Sequence, residues 1–231
     1  MAEQEGGERA VLVPASEVAL EGNLGLPEGA RGVVLFAHGS GSSRYSPRNR
    51  YVATALQRAG LGTLLIDLLT AEEEAAEAVT RHLRFDIGLL ARRLTAATDW
   101  LAADRETGGL DVGYFGASTG GGAALVAAAE RPDLVRAVVS RGGRPDLAGA
   151  TLRAVQAPTL LIVGGHDDVV IELNRQALAE LAAPVKDLAI VPGAGHLFEE
   201  PGKLEEVARL ATAWFTRHLG SDRESRAPDQ A

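Results

Sequence analysis

The stretch Leu110–Ala129, Leu-Asp-Val-Gly-Tyr-Phe-Gly-Ala-Ser-Thr-Gly-Gly-Gly-Ala-Ala-Leu-Val-Ala-Ala-Ala, narrows what the chain can fold into more than any other. Val112, Tyr114 and Phe115 read as a strand, the alanine-rich segment after Gly122 reads as a helix, and Ser118 stands between them in the pattern Gly116-x-Ser118-x-Gly120. Inside a helix each glycine is worse than alanine by roughly 0.8–1.0 kcal/mol, so Gly120, Gly121 and Gly122 in a first turn need a steric reason. A serine held on a sharp strand-to-helix turn supplies one, because a side chain two residues away on either side would collide with backbone. In a chain with 27 glycines the spacing arises by accident about 0.12 times, so the strand before it and the helix after it are what give it weight.

The rest of the chain repeats that alternation. Ala10 to Leu26 predicts two antiparallel edge strands with a turn near Pro14 to Glu17. Gly32 to Ala37 is an uninterrupted apolar run, as in a parallel strand buried on both faces, and it empties into the small-residue loop His38-Gly39-Ser40-Gly41-Ser42-Ser43. A helix is predicted over 49–58 and a buried strand over 61–68. The segment 69–84, with Glu72, Glu73, Glu74, Glu77, Arg81, His82 and Arg84, reads as an excursion whose charges form a solvated face. An amphipathic helix over 85–101 covers the sheet. Strands are predicted at 135–140, 158–165 and 185–191, a loop at 141–145, a short weak helix at 146–155, a helix at 172–181 and a closing helix ending near Gly220. Strands alternating with helices imply one α/β domain, residues 10–219, with a mostly parallel doubly wound sheet covered on both faces. The polar ends 1–9 and 220–231 are expected to fray.

Composition excludes several function classes. The net charge of −8 disfavours nucleic acid and anionic membrane as partners. Without cysteine there is no thiol catalysis and no thiolate metal site. Met1 to Arg9 lacks the basic and apolar regions of a signal peptide, and no apolar run approaches the ~18 residues of a membrane span. The expectation is a cytoplasmic protein without cofactor or metal, acting on a small molecule, with its oligomeric state unread.

Beyond the carboxyl ends of successive strands lie Ser118, then Asp167 or Asp168, then His196, which is the order nucleophile, acid, base. With the elbow Gly-Ala-Ser118-Thr-Gly-Gly, the upstream His38-Gly39-Ser40-Gly41, the strand end Val163-Gly164-Gly165-His166-Asp167 and the terminal Pro192-Gly193-Ala194-Gly195-His196-Leu197-Phe198, the sequence resembles the α/β-hydrolase superfamily, and within it the dienelactone hydrolase-like group, over about residues 22–219. The enzymes that give the group its name use cysteine as nucleophile, where this chain has serine. Only about 17 residues separate Ser140 from Pro158, too few for the helical cap domain that many relatives insert there.

The resemblance implies a serine hydrolase of carboxylic esters or lactones that works through an acyl-enzyme. Ser118 would be the nucleophile, His196 the base and Asp167 the acid, with Asp168 as the alternative and more suited to capping the next helix. The backbone N–H groups of Ser40 and Thr119 would form the oxyanion hole. Thioester hydrolysis, acyl transfer and cofactor-free haloperoxidase or perhydrolase chemistry use the same triad, and a binding module that keeps the fold is the non-enzymatic alternative. Candidate substrate contacts are His38, Gly39, Arg44, Tyr45, Arg141 and Phe198. For His38 the competing role is tying down its loop. For Arg44, Arg48, Arg50, Arg141 and Arg144 it is pairing with acidic residues rather than with a substrate carboxylate, and for Tyr45 and Phe198 it is core packing.

Overall fold

In the computed structural model, which describes residues 7–80 and 82–220, the continuous apolar runs lie at the centre of an eight-stranded sheet. The strands are β1 (Arg9–Ala15), β2 (Val18–Gly25), β3 (Gly32–Ala37), β4 (Gly62–Ile66), β5 (Asp111–Ala117), β6 (Val135–Arg141), β7 (Thr159–Gly164) and β8 (Lys186–Val191). Their spatial order is β1-β2-β4-β3-β5-β6-β7-β8; β1 pairs antiparallel with β2 and β2 with β4, and all other pairs are parallel. The helices are α1 (Pro47–Arg58), α2 (Ala71–Thr80), α3 (Ile87–Ala103), α4 (Thr119–Glu130), α5 (Asp168–Glu180) and α6 (Lys203–His218).

Because side chains alternate along a strand, β3 serves two cores at once. Val33, Leu35 and Ala37 join the cluster containing Leu90, Leu94 and Ala97 of α3 and Ala123, Ala124 and Ala127 of α4. Val34 and Phe36 join the cluster containing Val52 and Leu56 of α1 and Val207, Ala211 and Phe215 of α6. The chain leaves β3 through α1 to β4 on one side, then returns past β3 to β5 on the other. The loops after β3 and β5 therefore diverge, and in an open α/β sheet that reversal of strand order opens a crevice at the carboxyl ends. His38–Ser43 and Ser118 border it.

Several boundaries differ from the sequence reading for local reasons. β1 continues through Pro14, which an edge strand tolerates, and turns at Ser16, where φ is 57°. α1 starts at Pro47 because proline suits the first helical position and Ser46 caps it, its Oγ accepting the Asn49 N–H at 3.3 Å. α5 starts at Asp168, four residues before the expected position. The short segment 145–154 is 3₁₀ helix kinked at Gly149, with φ 52° and ψ −135°. Gly7 to Arg9 and Gly220 are described: Arg9 opens β1, and the Gly220 N–H donates to Asp111 Oδ2 at 2.7 Å. The rest of the ends expected to fray, 1–6 and 221–231, lies outside the described residues.

The charges of 69–84 are not uniformly solvated. Glu77 is 1% exposed, accepts the Leu83 N–H at 2.7 Å and pairs with Arg84. Glu73 receives Arg93, which is 5% exposed, through two bonds of 2.5 and 2.6 Å, and Arg93 also donates to the Leu68 carbonyl at 2.5 Å. These pairs pin α2 beside the crevice, and the bond from Arg93 holds the Glu73 carboxyl below its usual range. Among the described residues no helix is long and apolar enough to cross a membrane.

Candidate active site

β5 delivers Ser118 at φ 51° and ψ −122°, a region essentially reserved for glycine, where a residue costs of order 1–3 kcal/mol. Hydrogen bonds hold it there: its N–H donates to the Arg141 carbonyl at 3.3 Å, and its own carbonyl accepts the N–H groups of Gly121 and Arg144, both at 3.0 Å. The glycines around it have the steric reason the sequence demanded. A Cβ on Gly116 would lie 2.6 Å from the Gly120 carbonyl oxygen, and one on Gly120 would lie 2.2 Å from the oxygen of Ala37 and 2.6 Å from that of His38. The turn after β5 is thus pressed, backbone against backbone, on the end of β3.

The loop after β3 meets the start of α4. The Ser40 N–H donates to Thr119 Oγ1 at 3.1 Å, and Ser40 Oγ lies 3.1 Å from the same oxygen. Thr119 is the first residue of α4, where N–H groups lack partners within the helix and the dipole is positive. His38 is buried with both ring nitrogens engaged: Nε2 accepts the Leu68 N–H at 3.0 Å, and Nδ1 lies 3.0 Å from the Gly39 carbonyl. It ties the loop to the end of β4. A Cβ on Gly39 would lie 3.1 Å from both the Ala117 oxygen and Ser118 Cβ, so a side chain there would require the serine turn to give by a few tenths of an ångström.

At the far side, β7 ends at Gly164, where a Cβ would meet the carbonyl oxygens of Gly195 and Ala194 at 2.4 and 2.5 Å. That close contact brings two loops together. His196 Nδ1 lies 2.6 Å from Asp167 Oδ2, a short charge-assisted contact that leaves Nε2 as the other ring nitrogen. Asp168 is exposed at the first position of α5. Sequence reasoning did not single out Glu200, whose Oε1 accepts the Gly195 N–H at 2.9 Å and steadies the histidine loop; the backbone N–H groups of Glu200 and Gly195 hold its carboxyl below the usual range. Nor did it find Asn174, fully buried, which donates to the Gly143 carbonyl at 3.0 Å. A carboxylate four residues past a candidate base was the available signal for the first; the second had none.

Ser118 and His196 line one cavity of about 200 Å³, together with Gly39, Ser40, Ser42, Arg48, Asn49 and Arg141. The other candidate contacts separate. Arg44 pairs with Asp67 and Glu21 and faces a different cavity; Tyr45, 55% exposed, stacks on it at 4.4 Å and accepts from it at 2.8 Å. Phe198 is 1% exposed and belongs to the core shared with α1 and α6 rather than to the cavity wall. Arg48 pairs with Glu199 at 2.9 Å, Arg50 with Glu8 at 3.7 Å and Arg144 with Asp146 at 2.7 Å. Arg141, expected in a loop, is instead the last residue of β6, in register with Ala117 and Ile162.

Known proteins share this fold. The model of the dienelactone hydrolase family matches residues 20–219. A solved dienelactone hydrolase from Anabaena variabilis is 67% identical with a TM-score of 0.90, covering 92% of this chain and 98% of that one. Est1E from Butyrivibrio proteoclasticus, 16% identical with a TM-score of 0.75, shares the fold over 90% of this chain and 98% of its own. A putative phosphoribosyl transferase of Mycobacterium tuberculosis is 61% identical over 209 residues, 90% of this chain and 46% of that protein, so the chain spans less than half the length of that relative. With an eight-stranded α/β-hydrolase sheet, a family match across nearly all of it and a solved relative at 67% identity, the chain belongs to the dienelactone hydrolase family.

Proposed function

We propose that the chain is a serine hydrolase of small carboxylic esters or lactones, working through an acyl-enzyme without a cofactor. The observation that carries this reading is the 2.6 Å contact from His196 to Asp167 in the cavity wall that also holds Ser118 on its strained turn. With Nδ1–H donated to Asp167, His196 offers Nε2 to the serine. Nε2 takes the Ser118 proton as Oγ attacks the acyl carbon, and Asp167 stabilises the imidazolium. The oxyanion is received by the N–H of Thr119 and by that of Ser40, replacing Thr119 Oγ1 as acceptor for the latter. His196 then protonates the leaving alkoxide, and a water activated by the same nitrogen releases the acid and restores Ser118.

The same residues support thioester hydrolysis, acyl transfer to another acceptor and haloperoxidase or perhydrolase chemistry as alternative uses. The chain spans less than half of the phosphoribosyl transferase relative, and a serine–histidine–aspartate arrangement suits acyl transfer rather than phosphoribosyl transfer. A small-molecule substrate and a cytoplasmic setting complete the reading.

The direct test is reaction of the purified protein with a fluorophosphonate, read by intact mass and peptide mapping. One adduct on Ser118 is expected; a folded protein that takes up none would move the binding-module alternative ahead. The choice of acid is testable separately. Asp167→Asn should lower turnover of a short p-nitrophenyl ester by about 10⁴-fold, because the amide no longer holds the productive tautomer. Asp168→Asn, at an exposed position, should stay within a factor of about two. The opposite ranking would exchange the two roles.

A further inference from the structure

We infer that Ser40 gives the oxyanion two donors rather than one, its side-chain hydroxyl as well as its N–H, and that Thr119 Oγ1 is the acceptor that holds both until the substrate oxygen takes them over. The inference rests on the serine-hydrolase reading of the cavity and adds a third donor to its oxyanion hole.

The peptide that carries the Ser40 N–H is fixed from both sides. His38 is buried, and because its Nε2 accepts the Leu68 N–H at 3.0 Å, the proton of the neutral ring sits on Nδ1, 3.0 Å from the Gly39 carbonyl oxygen. The same oxygen accepts the Ser42 N–H at 3.2 Å, which closes a tight turn through Ser40 and Gly41, the latter at φ 67°. In a trans peptide the C=O and N–H point in opposite directions. With the Gly39 carbonyl clamped on one side, the Ser40 N–H is therefore aimed at the other, toward the first residue of α4.

Both polar groups of Ser40 converge there on one oxygen. Ser40 N and Ser40 Oγ each lie 3.1 Å from Thr119 Oγ1. Thr119 directly follows the nucleophile, and the residue before Ser40 touches the nucleophile from the other side, since a Cβ on Gly39 would lie 3.1 Å from Ser118 Cβ. Ser40 lines the cavity that Ser118 and His196 line. Thr119 is buried and lines instead the small cavity behind the loop, with Glu77 and Arg84. An N–H and a hydroxyl that meet on a neutral oxygen can meet on an anionic one, where each bond is shorter and roughly twice as strong. The hydroxyl hydrogen rotates to suit its acceptor, and rotation of the Thr119 side chain releases both groups without moving the clamped peptide. The strong bonds are then made in the transition state and not before it, which is the condition for raising kcat.

The test is steady-state kinetics on a short p-nitrophenyl ester and on methyl butyrate, with a trifluoromethyl ketone, which forms a hemiketal oxyanion, as transition-state analogue. Ser40→Ala keeps the backbone N–H and should lower kcat by about tenfold to a hundredfold, with KM within a factor of about three. It should weaken the trifluoromethyl ketone by the factor lost in kcat/KM. Ser40→Thr, which restores a hydroxyl, should recover most of the loss. Ser40→Cys, similar in shape but with a weak S–H donor, reads the same loss if the alanine variant fails to fold. Thr119→Val separates contact with the oxyanion from an effect transmitted through Thr119: the loss caused by Ser40→Ala should persist in that background. A loss that vanishes there, a loss confined to KM, or a Ser40→Ala variant as active as the wild type would overturn the third donor alone. A wild type that neither hydrolyses these esters nor takes up a fluorophosphonate would remove the hydrolase reading, and this inference with it.

Discussion

Ser118→Ala is expected to lower ester turnover by on the order of 10⁶-fold while the protein stays folded, with circular dichroism and thermal midpoint close to the wild type. The expectation follows from what the side chain touches. Ser118 Oγ makes no capping bond to α4, and the turn is held by its backbone, through the bonds to Arg141, Gly121 and Arg144, which alanine retains. Alanine also keeps the strained φ of 51°. What disappears is the oxygen that the proposed mechanism acylates, which would leave only the proposed oxyanion donors of Thr119 and Ser40 and substrate binding to support any rate over water. Retained esterase activity in this variant would remove Ser118 from the mechanism.

Ser118→Gly separates strain from chemistry. It should be as inactive as Ser118→Ala yet more stable to unfolding by about 1 kcal/mol, because glycine occupies this backbone region without the Cβ penalty, offset in part by its greater unfolded-state entropy. A dead variant that is more stable than the wild type would show that the strain is kept for the sake of the nucleophile's position.

The features legible in the sequence are those set by local pattern. The run Gly32–Ala37 is buried at every position, as an apolar run without alternation implies, and its side chains divide between two cores. The elbow glycines and the order of Ser118, then Asp167 or Asp168, then His196 follow from positions at strand ends, whereas the choice of Asp167 as the partner of His196 was implied by the resemblance, and the 2.6 Å contact between them accords with it. What was hidden depends on what stands opposite a side chain. Arg141 and Arg144 are three residues apart in one Gly-rich stretch, yet Arg144 has a carboxylate two residues on and Arg141 is swallowed by a strand end facing a cavity. Glu77 lies in a run of acidic residues that read as solvated, and its burial comes from a chain reversal that returns the Leu83 N–H and Arg84 to it. Phe198 could line a pocket or a core in sequence terms; in the fold it is 1% exposed and packs in the core shared with α1 and α6.

The tightest contact in the site carries the other large effect. Gly120→Ala is expected to destabilise the protein by about 3 kcal/mol or more, and to lower the thermal midpoint by roughly 6–12 °C for a chain of this size. The new methyl would lie 2.2 Å from the Ala37 oxygen and 2.6 Å from that of His38, both backbone atoms that no rotamer change can move. Gly29→Ala provides the contrast. Gly29 has φ 69° and nothing within 4 Å of an added Cβ, so it should cost only the left-handed penalty of about 1–2 kcal/mol. The two variants should also differ in activity. The atoms that a methyl group on residue 120 would displace begin the loop carrying the Ser40 N–H, and that loop is held against Thr119 by a 3.1 Å bond. Relief of the clash must push this loop away from α4, so kcat measured well below the thermal midpoint should fall by about 10²-fold, the cost of one misplaced oxyanion donor. Gly29→Ala, remote from the site, should leave kcat within a factor of about two. Equal kcat in the two variants would mean that the end of β3 can yield without moving Ser40, and that the close packing of the elbow serves stability alone.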